Sequence, residues 1–271
     1  IGDDGEGFEL LRALRDRGVD AHGVIIRSDR MTPTYTKPML SQEPGSAREL
    51  NRLDIKNRTP ATDEQNRLVI AQLDEIASRV NAVIIADQVT ERNHGVITDA
   101  VRDHLAILAR RHPNVVFFAD SRSSIGLFRD VLAKPNRSEM LAALGRNADV
   151  HESSAAGRLD EIRHAASDLS RQIGSAVYAT VGPDGILYVD GDSVQHIPGL
   201  PVAGPLDIVG AGDSTTAGIV SALCAGATPA QAAHLGCLVA SITIQQLGVT
   251  GTATPAQVVS RFQESRAGFL A

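Results

Sequence analysis

Between Asp207 and Gly218 the chain reads Asp-Ile-Val-Gly-Ala-Gly-Asp-Ser-Thr-Thr-Ala-Gly, placing the carboxylate of Asp213 beside Gly210, Ala211 and Gly212 at an expected helix start. Glycine lets the backbone turn where a Cβ would clash, and bare N–H groups can then face a bound anion. The helix expected from Ser214 to Ala225 adds its unpaired first-turn amides and the positive end of its dipole. Asp213 sits at the mouth of that field, so the segment reads as a site for anionic chemistry. The plainer alternative is a tight loop with Asp213 as N-cap. Two phosphate-loop rivals fail on inspection: no G-x-x-x-x-G-K-[ST] occurs, and Thr215 stands where a dinucleotide fingerprint starting at Gly210 needs glycine. A Gly-Asp-Ser hydrolase with Ser214 as nucleophile would need a histidine and an acid close in space, and Ser214 lies inside the helix start.

The elements that must position this loop alternate along the chain. Phe8, Leu10, Leu11 and Leu14 recur at helical spacing with Gly18 as the stop, and Val24–Ile26 reads as a strand. Pro38, Pro44 and Gly45 break the next stretch into an irregular excursion, read as a small β-lid over about residues 24–56. Thr62 and Gln65 form a capping box before a helix with Leu68, Leu73, Ile76 and Val80 on one face. A buried strand from Ala82 ends at Asp87, and a helix from Thr98 leads to a strand at Val115–Ala119 ending at Asp120. Val131–Ala133, a short helix closed by Gly145, a helix over about Leu159–Gln172 and a strand at Val177–Val181 follow, then a meander ending near Ile197. Two apolar helices, split by Gly226 and Thr228-Pro229, come after the glycine loop. Such alternation predicts an α/β fold with a mostly parallel sheet covered by helices. Ligands gather at the carboxyl ends of such strands, where Asp87, Asp120, Asn136 and Gly182 fall.

At 271 residues the chain suits one large α/β domain. A net charge of −6 with no long basic run argues against nucleic acid or an anionic membrane as partner, so an anionic ligand must be held by local donors. Cys224 and Cys237 lie in apolar, helical surroundings and read as reduced core thiols of a cytoplasmic protein. No apolar stretch approaches membrane-spanning length, and the start IGDDGEG is no secretion signal. The eight histidines give no metal set: His151-Glu152 is followed by nothing at ligand spacing, and His104 and His112 merely share a helix.

Three motifs in order, Asp207-x-x-Gly210-Ala211-Gly212-Asp213, Asn136-x-x-Glu139 and Thr180-x-Gly182-x-x-Gly185, resemble those of the PfkB, or ribokinase-like, family of sugar and nucleoside kinases. The likeness runs over nearly the whole chain, and TYTKPML, RELNRLDI and QLGVTGTATP look like the heptose phosphate kinase branch. The resemblance implies a three-layer ribokinase-like fold over 1–271 and transfer of the γ-phosphoryl group of Mg-ATP to a hydroxyl of a sugar or sugar phosphate. In that reading Asp213 is the general base and the amides of Gly210, Ala211 and Gly212 stabilise the transferring group. Asn136 and Glu139 hold Mg²⁺ through water, while Asn136, Thr180, Gly182 and Gly185 line the nucleotide. Asp87 touches the sugar, the lid closes over it, and His234 lies near where relatives place the adenine. Asp207, Val209 and the Gly248–Thr252 loop are the place for a K⁺ ion, and lid strands pair in a homodimer. A nucleotide-binding paralogue that has lost catalysis is the alternative.

Two departures stand out. The family's opening strand with a sugar-binding Asp, and its Gly-Gly-x-x-x-Asn segment, do not precede Gly2, so about the first fifth of the expected fold lies upstream of Ile1 or is missing. Ala86–Gly95 reads ADQVTERNHG where the heptose branch shows Ser-Asp-Tyr and then Lys-Gly. Lys37 and Lys134 read as solvated surface lysines, or as phosphate ligands if the acceptor is itself phosphorylated.

Overall fold

The structure, a computed structural model, describes residues 1–41, 47–146 and 155–269; Pro44, Gly45, His151 and Glu152 lie outside them. The chain divides into two compact units, Ile1–Asp74 with Glu91–Val101, and Glu75–Thr90 with Arg102–Ala271.

In the first unit, helix α1 (Gly5–Asp16) starts at Asp4, whose side chain accepts from the Gly7 amide. The same carboxylate accepts from the Thr32 amide and hydroxyl at 2.8 and 2.7 Å, tying the first turn to the following segment. The expected strand at Val24–Ile26 is not one. Only a parallel bridge between Gly2 and Arg27 forms, with the Arg27 amide donating to the Ile1 carbonyl, because this stretch meets just the first three residues. The lid excursion appears as two separate antiparallel pairs, β1 (Thr34–Thr36) with β4 (Leu53–Ile55) and β2 (Met39–Ser41) with β3 (Ala47–Glu49). Helix α2 (Asp63–Ile76) begins at the expected capping box, with reciprocal Thr62–Gln65 bonds of 3.0 and 3.2 Å.

The second unit is built on one six-stranded sheet, in the order β10-β9-β8-β7-β6-β5. Strands β5 (Ala82–Asp87), β6 (Val116–Ser121), β7 (Leu132–Ala133) and β8 (Val177–Thr180) pair in parallel, while β9 (Ile186–Asp190) and β10 (Ser193–Ile197) add an antiparallel meander. Helices α3 (Asp99–Arg111), α4 (Arg137–Ala143) and α5 (Ala155–Ile173) alternate with the strands, as the periodicity predicts. Helices α6 (Ala211–Cys224), α7 (Pro229–Thr243) and α8 (Pro255–Phe269) follow the meander. Among the described residues β5 is the last strand of the sheet, and Ile84 is half exposed, where the sequence reads as wholly buried. No helix among the described residues is long and apolar enough to cross a membrane.

Strand alternation sends side chains to both faces, and each face is covered. On one, Phe118, Tyr178 and Ile186 pack with Ile219 and Val220 of α6 and with Ala232, Ala233 and Cys237 of α7. Helix α5 packs on β8 and β9 and buries Ala165, Ala166, Leu169 and Ile173. Cys237 is buried as expected, whereas Cys224 is exposed, because it closes the last turn of α6.

Helix α6 carries the glycine loop, and its closeness to α7 depends on Gly218 and Gly236. A Cβ on Gly218 would lie 2.9 Å from the Gly236 Cα and 3.0 Å from the Leu235 carbonyl oxygen, both backbone atoms that cannot rotate away. Alanine at 218 would gain about 1 kcal/mol of helix propensity but cost about 1–3 kcal/mol in overpacking. Gly218→Ala is therefore expected to lower stability in chemical denaturation; an increase would mean that the two helices have slack.

Candidate functional site

Gly210 caps α6 in the left-handed conformation, φ +80°, and a Cβ there would stand 2.6 Å from the Thr250 methyl carbon. The helix thus begins at Ala211, three residues earlier than the sequence predicts. Asp213 is not an N-cap but the third helical residue, exposed in the first turn. The Ala211 amide donates to the Ile208 carbonyl at 3.1 Å and the Ser214 amide to Gly210 at 2.9 Å. The amides of Gly210, Gly212 and Asp213 have no acceptor among the described residues, so of the expected set Gly210 and Gly212 keep open donors, Ala211 drops out and Asp213 joins them. Ser214 is 8% exposed, and among the described residues no histidine hydrogen-bonds its hydroxyl, which leaves the hydrolase reading without a base.

Asp207 braces this loop. Its carboxylate accepts from the amides of Val209 and Gly248, both at 3.0 Å, while its own amide donates to Ile244. The expected K⁺ place at Asp207, Val209 and the 248–252 loop is thus two loops joined by one side chain.

The parallel register brings a second set of groups to the same helix turn. Ala119 pairs with Ala133, so the next residues in line, Asp120 near the end of β6 and Lys134 just past β7, stand side by side. Lys134 Nζ lies 2.9 Å from Asp120 Oδ2, and the Thr216 hydroxyl of α6 donates to the same oxygen at 3.2 Å. An ideal Cβ on Gly212 would sit 3.5 Å from Lys134 Nζ. The lysine is not a solvated surface group: its side chain is 4% exposed. Lys37 is exposed, as read. The only sequence signal for the difference is that Lys134 directly follows a short apolar strand and precedes Pro135.

Asn136 and Glu139 form a capping box on α4: the Asn136 side chain accepts from the Glu139 amide at 2.9 Å, and Glu139 Oε2 accepts from the Asn136 amide at 2.8 Å. Asn136 is the cap itself, and Glu139 is the third residue of the helix. Glu139 is half buried, and burial pushes its carboxyl above the ordinary range, with the Asp120 charge adding to the rise and the Asn136 amide, Lys134 and Arg122 opposing it. Asp120, Asn136 and Glu139 therefore offer hard oxygen donors in a field that a cation would relieve, which fits Mg²⁺. Among the described residues no three His, Cys, Asp or Glu side chains group tightly enough to chelate a metal, so such an ion would keep several waters.

Asn136, Thr180 and Gly182 line one cavity of about 380 Å³, with Ser138, Asp184 and Ile162 among the other walls. Thr180 continues the strand through a bridge to Asn136 and donates its amide to Pro135 at 2.9 Å. Gly185 does not line this cavity. Its φ is +95°, and a Cβ would lie 2.1 Å from the Ile197 carbonyl oxygen, so its glycine serves the turn against the meander. Asp87, expected on the sugar, is 4% exposed; Ser121 donates to it at 2.7 Å, and burial raises its carboxyl against the pull of Ser121 and Arg102. It is an internal carboxylate rather than an exposed one. His234 packs edge-on against Phe262, ring centroids 6.3 Å apart.

A raised acid pKa stabilises the protonated form, so the folded protein loses stability relative to a neutral variant as pH rises from below 4.5 through the native Glu139 value. Glu139→Gln keeps the capping acceptor. Without metal, its stability relative to wild type should therefore increase from pH 4 to pH 7 in urea titrations; a flat difference would remove the unfavourable field at Glu139.

Residues 1–257 match the pfkB family carbohydrate kinase. Relatives named "Bifunctional protein HldE" include those of Geobacter sulfurreducens, 26% identical over 96% of this chain, and Bradyrhizobium diazoefficiens, 30% identical over 94%. The chain spans about half the length of these relatives, 50% and 49% respectively. Among solved structures, phosphofructokinase-2 from Escherichia coli in complex with potassium superposes with TM-score 0.73 at 18% identity, covering 97% of this chain and 80% of that one. Ribokinase of Arabidopsis thaliana complexed with ribose and ATP gives TM-score 0.71 at 16% identity, with the same coverage. The fold is ribokinase-like, and the chain belongs to the pfkB family of carbohydrate kinases.

Proposed function

We propose that the second unit moves the γ-phosphoryl group of Mg-ATP to a hydroxyl of a sugar or sugar phosphate. The observation that carries this reading is the convergence on the first turn of α6: Asp213 and the open amides of Gly212 and Asp213 come from the helix, and Asp120 and Lys134 come from the ends of β6 and β7. Phosphoryl transfer involves little covalent work by the protein, so positioned charge and donors are what it must supply. Asp213 accepts the proton of the attacking hydroxyl, and its exposure leaves it open to the acceptor. The Gly212 and Asp213 amides face the oxygens on which negative charge grows, backed by the dipole of α6. Asn136, Thr180 and Gly182 bind the nucleotide along their shared cavity. When bound, Mg²⁺ neutralises phosphate charge; Asp120, Asn136 and Glu139 are the residues that would hold it through its waters.

A heptose phosphate is the acceptor that the likeness of residues 34–40, 48–55 and 246–255 to the heptose phosphate kinase branch supports, and the relatives named "Bifunctional protein HldE" are in keeping with it. A K⁺ ion held by carbonyls of the Val209 and 248–252 loops, and a dimer through the paired strands of residues 34–55, belong to the same proposal. The first is supported by the Asp207 brace and the second by the two-stranded pairs, in which every strand has an edge with no partner strand among the described residues.

Asp213→Asn should lower kcat about 10²–10⁴-fold while ATP affinity stays within a few-fold, as loss of a positioned base does. Steady-state phosphorylation of sugars and sugar phosphates, paired with calorimetric ATP binding, checks both halves. Unchanged turnover would remove Asp213 as base, and ATP binding without transfer to any acceptor would favour a binding protein that has lost catalysis.

A further inference from the structure

Lys134 is an awkward residue for this fold to carry. Removing an ammonium from water is costly, and one ion pair commonly fails to offset that cost. The position makes matters worse: Nζ lies beside Gly212 in the first turn of α6, at the positive end of the helix dipole, where a cation is disfavoured. A fold selected for stability alone would place an acid or an apolar side chain there. The main chain at Lys134 is fixed, because its amide donates to the Ala119 carbonyl at 2.9 Å and Pro135 follows it. Asp120 accounts for part of the compensation, but Asp120 is itself nearly buried and shares its Oδ2 with Thr216, so the pair raises the same question twice. What two clustered positive features favour is a second anion, arriving with a ligand.

Resting on the kinase reading above, we propose that Lys134 is a further catalytic residue, whose ammonium binds a non-bridging oxygen of the γ-phosphoryl group as it transfers. Location singles out that phosphate. The transferring group must lie within reach of both Asp213 and the open amides of Gly212 and Asp213, and Lys134 Nζ approaches that same turn from the sheet side. In the step, the acceptor oxygen bonds to the γ-phosphorus and its proton passes to Asp213. The bond from the γ-phosphorus to the bridging oxygen breaks, and ADP leaves with that electron pair. Lys134 keeps its three protons throughout and offsets charge on the equatorial oxygens; Asp120 aims it.

The two phosphates that could meet this lysine, the γ-phosphate of the nucleotide and a phosphate on the acceptor, are separated by comparing ATP with ADP. Calorimetry with Lys134→Met should show ATP affinity falling about tenfold to hundredfold, the worth of one charge-assisted hydrogen bond, with ADP affinity within about twofold of wild type. Turnover should fall about 10²–10³-fold with little change in the KM of the acceptor. Because Lys134→Met leaves Asp120 buried without its cation, the comparison is repeated in an Asp120→Asn background. There, adding Lys134→Met should again reduce ATP affinity and spare ADP.

Equal losses for ATP and ADP would make Lys134 a structural residue and overturn the proposal. So would unchanged nucleotide affinities with a raised KM for a phosphorylated acceptor, which would assign the lysine to the acceptor's phosphate. A wild-type protein that binds ATP more tightly than ADP yet phosphorylates nothing would sink the kinase reading instead, and the binding comparison would still decide where Lys134 points.

Discussion

The parallel pairing of β6, β7 and β8 is the constraint from which the candidate site follows. With Ala119 opposite Ala133, Ala133 opposite Val177, and Asn136 bridged to Thr180, residues at or just past the strand ends are delivered to one end of the sheet. Asp120, Lys134, Asn136 and Thr180 are therefore neighbours although they are spread over some sixty positions. A one-residue slip in any of these strands would turn the side chains to the opposite face and dismantle the arrangement. Strand β7, only two residues long, is the narrowest part of this frame, and the Lys134 amide extends it by one more hydrogen bond to Ala119.

Helix α6 meets that sheet end with its positive terminus because its body is fixed elsewhere. Ile219 and Val220 are buried with Phe118 and Tyr178, and the glycine contact with α7 sets how closely the two helices lie. Thr216 then joins the helix to the sheet through Asp120. Core packing thus sets the distance between two charged assemblies that never bond directly: the first-turn amides of α6 and the Asp120–Lys134 pair. Electrostatic preorganisation of this kind holds donors in place before any charge develops, which is why rigid elements rather than loops supply it.

Capping also has two meanings in this chain. At Thr62–Gln65 and Thr228–Gln231 the capping box does no more than begin a helix. At Asn136–Glu139 the same local bond pattern holds two polar side chains beside Asp120 and Lys134, in a field that raises the Glu139 carboxyl. The bond pattern is the same in the three cases; the ionisable carboxylate of Glu139, where the others have a glutamine amide, and the surroundings distinguish this one.

What the sequence by itself determined is what depends on neighbours in the chain. Gly18 closing α1, the Thr62–Gln65 box, the meander turns, the glycine loop before α6 and the order of strands and helices were all legible, because caps, turns and periodicity are set within a few residues. The family was legible for the same reason, its three motifs being short and local. Only the tertiary structure decided burial and partnership. It placed Lys134 inside rather than in solvent, closed Asp87 off behind Ser121, exposed Cys224, left Val24–Ile26 without a strand beside the Gly2–Arg27 bridge, and tied up the Ala211 amide while leaving that of Asp213 open. Each of these depends on which distant segment packs against the residue, and the free energy of a charge depends on that packing more than on its neighbours in the chain.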